Sequence, residues 1–166
     1  MKLVLAAALA LTAASSLHAQ TVTTPPSAAP TTVPTAGIDI ATAAPLDGRW
    51  TYSTVPGGSE VTFTNAAAQP QLTIRCARPT RQVTVSKAAT GAAPFIFLWT
   101  SGLTRNVPAS FNPATGRISA TLSAFDALLD AVAFTRGRMA VSVSGQPTLV
   151  LPAWSEPARV VEDCRT

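Results

Sequence analysis

The chain has 166 residues, 12 basic and 8 acidic side chains, a net charge of +4 and one histidine. Its arginines are scattered from Arg49 to Arg165, far from the dense basic footprint of counterion-releasing binding, so nucleic acid is excluded as a partner. With one histidine and two cysteines, the familiar zinc ligand sets cannot be assembled, and no metal or other cofactor is expected.

Lys2 supplies a one-charge start, Leu3 to Leu11 an apolar run, and Leu17-His18-Ala19 a small-residue exit before Gln20. That is the layout of a secretory signal peptide, expected at 1–19 with cleavage near Ala19 and periplasmic or secreted localisation. No cysteine stands at the cleavage region to take a lipid anchor. No later stretch reaches the roughly 20 apolar residues of a membrane-spanning helix, so the mature protein is expected to have no transmembrane segment. Cleavage removes Lys2 and His18, which takes the net charge from +4 to +3 and leaves Lys87 as the last lysine beside ten arginines. Thr21 to Pro45 is nearly all Thr, Pro, Ala and Ser, with Pro25, Pro26, Pro30, Pro34 and Pro45 interrupting helix and sheet alike. A disordered linker is predicted at 20–45 and a single domain at 46–166, large enough for its own core.

Short alternating runs dominate that domain: Arg49–Ser53, Val61–Phe63, Leu72–Cys76, Val83–Val85, Ile118–Leu122 and Met139–Val143. Period-two alternation with Thr, Ser or Arg between apolar residues describes strands with one buried and one wet face. Turn chemistry separates them at Pro56-Gly57-Gly58, Ala77-Arg78-Pro79, Asn112 to Gly116 and Ser144 to Pro147. Phe95–Trp99 is apolar on both faces and is expected to be a central strand covered from two sides. The fold class is mainly β, an antiparallel β-sandwich or partly open barrel.

Phe125, Leu128, Leu129, Val132 and Ala133 form an i, i+3, i+4, i+7, i+8 stripe, which predicts an amphipathic helix at about 124–135. Ser123, with Asp126 three residues on, is its expected cap, and Gly137 its left-handed exit. A short C-terminal helical turn is predicted over Ser155–Asp163, with Pro157 in the first turn, where a missing amide is harmless.

Cys76 continues the buried Leu72, Ile74 face, and in an oxidising compartment it is expected to pair with Cys164. A redox role would favour Cys-x-x-Cys spacing, which is absent. Closing the bridge would bring Arg75 and Arg78 close to Glu162 and Asp163. Arg75, Arg78 and Arg81 are also a candidate anion or partner patch, weighed against an ordinary solvated strand-and-turn face. Serine and cysteine triads lack a base. Ser86-Lys87 matches no Ser-x-x-Lys motif, and nothing in its sequence context points to a lowered lysine pKa. Carboxylate pairs drawn from Glu60, Asp126, Asp130, Glu156, Glu162 and Asp163 remain as a catalytic option, although Asp126 and Asp130 fall on the polar side of the predicted helix. Core packing is the expected job of all three tryptophans, Trp50, Trp99 and Trp154, although Trp154, between Pro152 and Glu156, is also a candidate exposed aromatic contact.

The opening Gly48-x-Trp50, the segment Leu72-Thr73-Ile74-Arg75-Cys76, the block Asp126 to Val141 and the ending Ala158 to Cys164 with its Glu-Asp-Cys motif resemble uncharacterised exported bacterial β-domain proteins over nearly the whole mature domain. The layout is more distantly similar to the invasion-associated locus B family and to accessory proteins of type VI secretion, which implies a small envelope β protein. The Gly-x-Trp start also resembles that of lipocalin-type barrels and bacterial protease inhibitors, whose other signatures are missing. The functional expectation is a non-catalytic binding or accessory protein of the cell envelope, a monomer whose partner is an envelope protein or small ligand. The alternatives are a small carboxylate-dependent enzyme and a secreted protease inhibitor acting through a loop near Asn112-Pro113. The helix stripe makes one prediction: Leu129→Asp places a charge in the core and unfolds the domain, and a circular dichroism melt matching the parent's would refute the face assignment.

Overall fold

In the computed structural model, which describes residues 39–166, the alternating runs become two antiparallel sheets around one core. The first has six strands in the order β1-β2-β3-β4-β8-β7, where β1 is Gly48–Val55, β2 Gly58–Asn65, β3 Pro70–Ala77, β4 Gln82–Ala88, β7 Ser110–Asn112 and β8 Arg117–Ser123. The second has four in the order β10-β9-β5-β6, where β5 is Phe95–Trp99, β6 Thr104–Pro108, β9 Arg138–Ser142 and β10 Leu149–Pro152. Inward residues of the six-stranded sheet, among them Phe63, Leu72, Ile74, Val83 and Ile118, meet Ile96, Leu98, Met139 and Leu151 of the other in one buried cluster. The architecture is the expected mainly β one, a sandwich and not a closed barrel. β6, β7 and β10 have no counterpart among the predicted runs, since each is three to five residues long and two of them end in proline.

β5 is interior to its sheet and two-sided, as its composition requires. Ile96 and Leu98 enter the main core, while Phe97 and Trp99 pack on the other face with Ile40, Ala43, Ala140 and Val150. Ile40 comes from the stretch read as linker. Asp39 organises a turn there: its carbonyl accepts from Ala43 N at 2.8 Å, Oδ1 from Ala41 N at 3.0 Å, and Oδ2 from the Thr42 hydroxyl at 2.9 Å. Arg138 Nη1 donates to the Ala43 carbonyl at 2.6 Å and Leu46 N to the Val150 carbonyl at 2.7 Å. The packed chain therefore begins ahead of Leu46, because the apolar outer face of β5 needs a cover. The expected signal peptide at 1–19 and the rest of the predicted linker up to residue 38 lie outside the described residues.

Both helices sit at one end of the sandwich and pack on each other. α1 covers Ala127–Ala133, shorter than the stripe suggested. Its cap is Asp126, not Ser123: Asp126 Oδ1 accepts from Leu128 N at 2.8 Å, and the helix starts behind it. Leu128, Leu129 and Val132 are buried as predicted, whereas Phe125 lies before the first turn and is 59% exposed. α2 is Ser155–Asp163, with Pro157, Val160 and Val161 buried against α1 and the ends of β1, β2 and β3.

The β1–β2 hairpin closes through Pro56-Gly57, with Gly57 at φ +78°, a value that glycine adopts without strain. Gly58 answers a different constraint, since a Cβ there would lie 2.1 Å from the carbonyl oxygen of Cys76 on β3. Gly58→Ala is accordingly expected to cost about 1–3 kcal/mol through forced backbone displacement. Chemical denaturation would measure it, and a variant as stable as the parent would show that β2 and β3 need not approach so closely.

Candidate functional site

The Cys76–Cys164 disulfide joins β3 to the residue after α2, with Cα atoms 5.4 Å apart and both side chains buried. It gathers part of the expected charge cluster. The Tyr52 hydroxyl donates to Asp163 Oδ2 at 2.7 Å, the Arg159 guanidinium lies 3.9 Å over the Tyr52 ring, and Arg78 Nε donates to the Asp163 carbonyl at 3.2 Å. Burial pushes the Asp163 carboxyl pKa up, but the hydrogen bond from Tyr52, the nearby Ser59 hydroxyl and the charges of Arg78 and Arg159 together hold it below its ordinary value. Glu162 faces Arg165 at 3.7 Å. Arg75 points elsewhere, to Glu60 at 3.5 Å and the Pro56 carbonyl at 3.3 Å, and Arg81 lies 5.8 Å over the exposed Phe125 ring. Arg75, Arg78 and Arg81 thus have three different partners.

Arg75 does border a concave surface that the sequence did not reveal. On the outer face of the six-stranded sheet, Glu60, Thr73, Arg75, Thr84, Ser86, Arg117 and Ser119 line a shallow depression of about 350 Å³. Strand register sets Thr51, Thr62, Thr73, Ser86, Ser119 and Ser110 opposite one another in sequence, one hydroxyl per strand across all six strands. Arg117 crosses this row. Its Nε donates to Ser86 Oγ at 2.8 Å, and its Nη2 to the Ser86 carbonyl at 2.8 Å and Thr73 Oγ1 at 3.2 Å. Burial lowers the Arg117 pKa, opposed by the charge of Glu60. Alternation along β8 places Arg117 on the outer face with Ser119 and Thr121. Its neighbours on β4 and β3 depend on register, which no local pattern encodes.

Of the carboxylates of the catalytic option, Glu156 has a buried Oε2 with no hydrogen-bond partner, while Asp126 and Asp130 are separately engaged. Both Asp126 oxygens accept from Arg105 Nη2 at 2.8 Å, and Asp130 Oδ1 accepts from Arg165 Nη2 at 2.6 Å. Burial pushes the Asp126 pKa up, yet the Arg105 hydrogen bond, the Leu128 amide and the Arg105 charge bring it below its ordinary value. In the sheet-face depression, Glu60 is the one carboxylate among the lining residues. Among the described residues, no three His, Cys, Asp or Glu side chains cluster as a metal site.

Lys87 departs from its sequence reading. It follows Val83 and Val85 on the inner face of β4 and is 5% exposed, with Nζ donating to the Ala88 carbonyl at 3.3 Å and Gln146 Oε1 at 3.2 Å. Desolvation lowers its pKa, so the environment that the Ser86-Lys87 sequence context lacked is supplied by the tertiary fold.

The tryptophans divide, with Trp154 departing from the core role expected of all three. Trp50 is buried edge-to-face on Phe63 with its Nε1 donating to the Pro152 carbonyl at 2.9 Å, Trp99 covers the outer face of β5, and Trp154 is 47% exposed just before α2. Trp154 has neighbours that the sequence reading passed over. The strand order brings the loops before β6, before β9 and after β10 to one end of the four-stranded sheet. Arg136 N donates to Ser101 Oγ at 3.3 Å and Ala153 N to the Gly137 carbonyl at 3.2 Å, tying the three loops together. They carry Leu103, 36% exposed, Phe134, 76% exposed, and Trp154.

Comparison with protein-family models, curated proteins and solved structures finds no match.

Lys87 generates the prediction here. Its folded-state pKa lies below the ordinary 10.5, so the folded chain binds fewer protons than the unfolded one between those two values, and stability rises with pH across that window. Below the window the cost of burying the ammonium is present in full. Lys87→Met is expected to stabilise the domain by about 1 kcal/mol at pH 7, with the gain shrinking towards pH 10.5. Urea unfolding at pH 7 and pH 10 measures it, and a destabilised variant at pH 7 would show that the bonds to Ala88 and Gln146 outweigh desolvation.

Proposed function

We propose that this protein is a non-catalytic binding or accessory module of the bacterial cell envelope, exported to the periplasm or beyond, and akin to the exported β-domain proteins its motifs resemble. It engages an envelope partner through the end of the four-stranded sheet that carries Leu103, Phe134 and Trp154. The observation that carries this reading is that three loops at one end of the four-stranded sheet, joined by hydrogen bonds, each carry an exposed apolar side chain. Scattered single hydrophobic residues need no explanation, whereas three on hydrogen-bonded loops at one end of a sheet support the reading of a contact surface. A bridge between β3 and the chain end suits an oxidising compartment.

The rival readings find less support in the geometry. Asp126 and Asp130 are each held by a different arginine, which suits structural roles better than a pair sharing a substrate. The Asn112-Pro113 segment is a tight turn closed on Asn112, whose Oδ1 accepts from Ala114 N at 3.0 Å, and not a long extended loop of the kind an inhibitor inserts.

Both Phe134 and Trp154 are exposed, so Phe134→Ser with Trp154→Ser should leave stability within about 0.5 kcal/mol of the parent. A photo-crosslinker at position 134, activated in the intact envelope and analysed by mass spectrometry, is expected to capture a discrete partner that the Trp154→Ser variant captures poorly. Capture from Thr121 on the opposite sheet face, with none from position 134, would overturn the assignment.

A further inference from the structure

The four sheet edges are unequal. β7 has three residues and Pro113 directly after it, and β6 has five and ends in Pro108. β10 has four, ends in Pro152, and its Val150 carbonyl already accepts from Leu46 N at 2.7 Å. Short strands, prolines and covering segments are how proteins blunt edges against further pairing. β1 shares with β7 a proline directly after it, Pro56, but it is neither short nor interrupted. It runs eight residues, Gly48–Val55, without proline or lysine, and it is rich in β-branched and aromatic side chains.

The β1 groups that face outward follow from the hairpin. Pro56-Gly57 is a two-residue connection, so Val55 and Gly58 close it as a hydrogen-bonded pair, and alternation assigns Ser53 and Thr51 to the same class. Trp50, Tyr52 and Thr54 therefore turn their N–H and C=O groups away from β2. Among the described residues, no backbone group pairs with them on that side.

We infer that β1 is a self-association edge, occupied by β1 of a second copy running antiparallel about a two-fold axis through Tyr52. This inference does not depend on the function proposed above. In this register Tyr52 meets its own counterpart, Trp50 meets Thr54, Thr51 meets Ser53 and Arg49 meets Val55. The outward N–H and C=O groups of Trp50, Tyr52 and Thr54 then all have partners, Gly48 at the start of the strand falls opposite Pro56 at the margin of the ladder, and no like charges stand opposite each other. Arg159 lies over each Tyr52 ring, but Asp163 accompanies it on the Tyr52 hydroxyl, so charge is balanced on both sides of the axis. Moving the axis to Thr54 would set Pro56, which has no N–H, opposite Tyr52 inside the ladder instead of at its margin. A two-fold contact of this kind is closed and ends at a dimer. It would also make the two outer faces continuous, carrying the hydroxyl row from Thr51 of one copy to Ser53 of the other.

Sedimentation equilibrium on the full mature chain tests the inference, with two edge variants. Thr54→Pro removes an outward donor while leaving the β1–β2 bonds in place, and Thr51→Lys with Ser53→Lys sets lysines opposite one another across the axis. The expected result is a dimer mass for the parent and at least tenfold weaker association for both variants, with far-ultraviolet circular dichroism spectra matching the parent's, since melting temperatures themselves follow the association. A photo-crosslinker at Thr51 should link to β1 of another copy. A parent that stays monomeric at millimolar concentration, a dimer indifferent to both variants, or a crosslink to the chain's own residues 20–38 or to a different protein would each overturn it.

Discussion

The bond between Cys76 and Cys164 is the constraint on which the helical end of the sandwich depends. Cys76 lies on the inner face of β3, inside the six-stranded sheet, and Cys164 directly follows α2, so one covalent link fixes where the last helix can rest. Placing α2 places Asp163 beneath the Tyr52 hydroxyl and sets Arg159 against the Tyr52 ring. One residue past the bridge, Arg165 donates to the Ala124 carbonyl at 2.9 Å and to Asp130, which ties the chain end to α1. α1 is held from the other side by Arg105 of β6 through Asp126. Exposed ion pairs of this sort contribute little energy individually, and their effect here is to set the orientation of the two helices.

That arrangement separates the molecule into surfaces of different character. The helical end holds most of the ion pairs and the exposed rings Phe125, Phe134 and Trp154. The outer face of the six-stranded sheet holds hydroxyls, with Glu60, Arg75 and Arg117 set among them. The outer face of the four-stranded sheet is apolar and is covered by Ile40 from the segment before β1. Polar groups with no strong apolar neighbour stay wet, whereas Phe97 and Trp99 recruit a piece of chain whose composition argues for disorder.

How far this was legible in the sequence depended on the range of the information needed. Strands with strict alternation, such as Leu72 to Cys76 and Ile118 to Leu122, and the turn glycines between them are local signals, and the structure follows them. β6, β7 and β10 are too short and too proline-marked to show a period, and they exist because neighbouring strands supply pairing. Both Ser123 and Asp126 have the chemistry of a helix cap. Asp126 takes the role, its Oδ1 accepting from Leu128 N, and its carboxylate is also held by Arg105 of β6, a partner that no local pattern shows. Lys87 sits where alternation puts an inward residue, but its burial depends on Gln146 arriving from the β9–β10 turn. Arg117 and Phe134 needed register and loop packing before they stood out. Trp154 was readable because its own neighbours, Pro152 and Glu156, already looked like surface.

The most direct test of the account is the contribution of the bridge itself. A link closing 88 residues of chain removes unfolded-state entropy worth about 4–5 kcal/mol in the chain-entropy treatment. Urea unfolding of the oxidised chain, against the same chain with the bridge reduced, is predicted to show a drop of that order. Thiol titration of the native protein should find no free sulfhydryl. Equal stability of the two forms, or two titratable thiols in the folded native chain, would contradict the account.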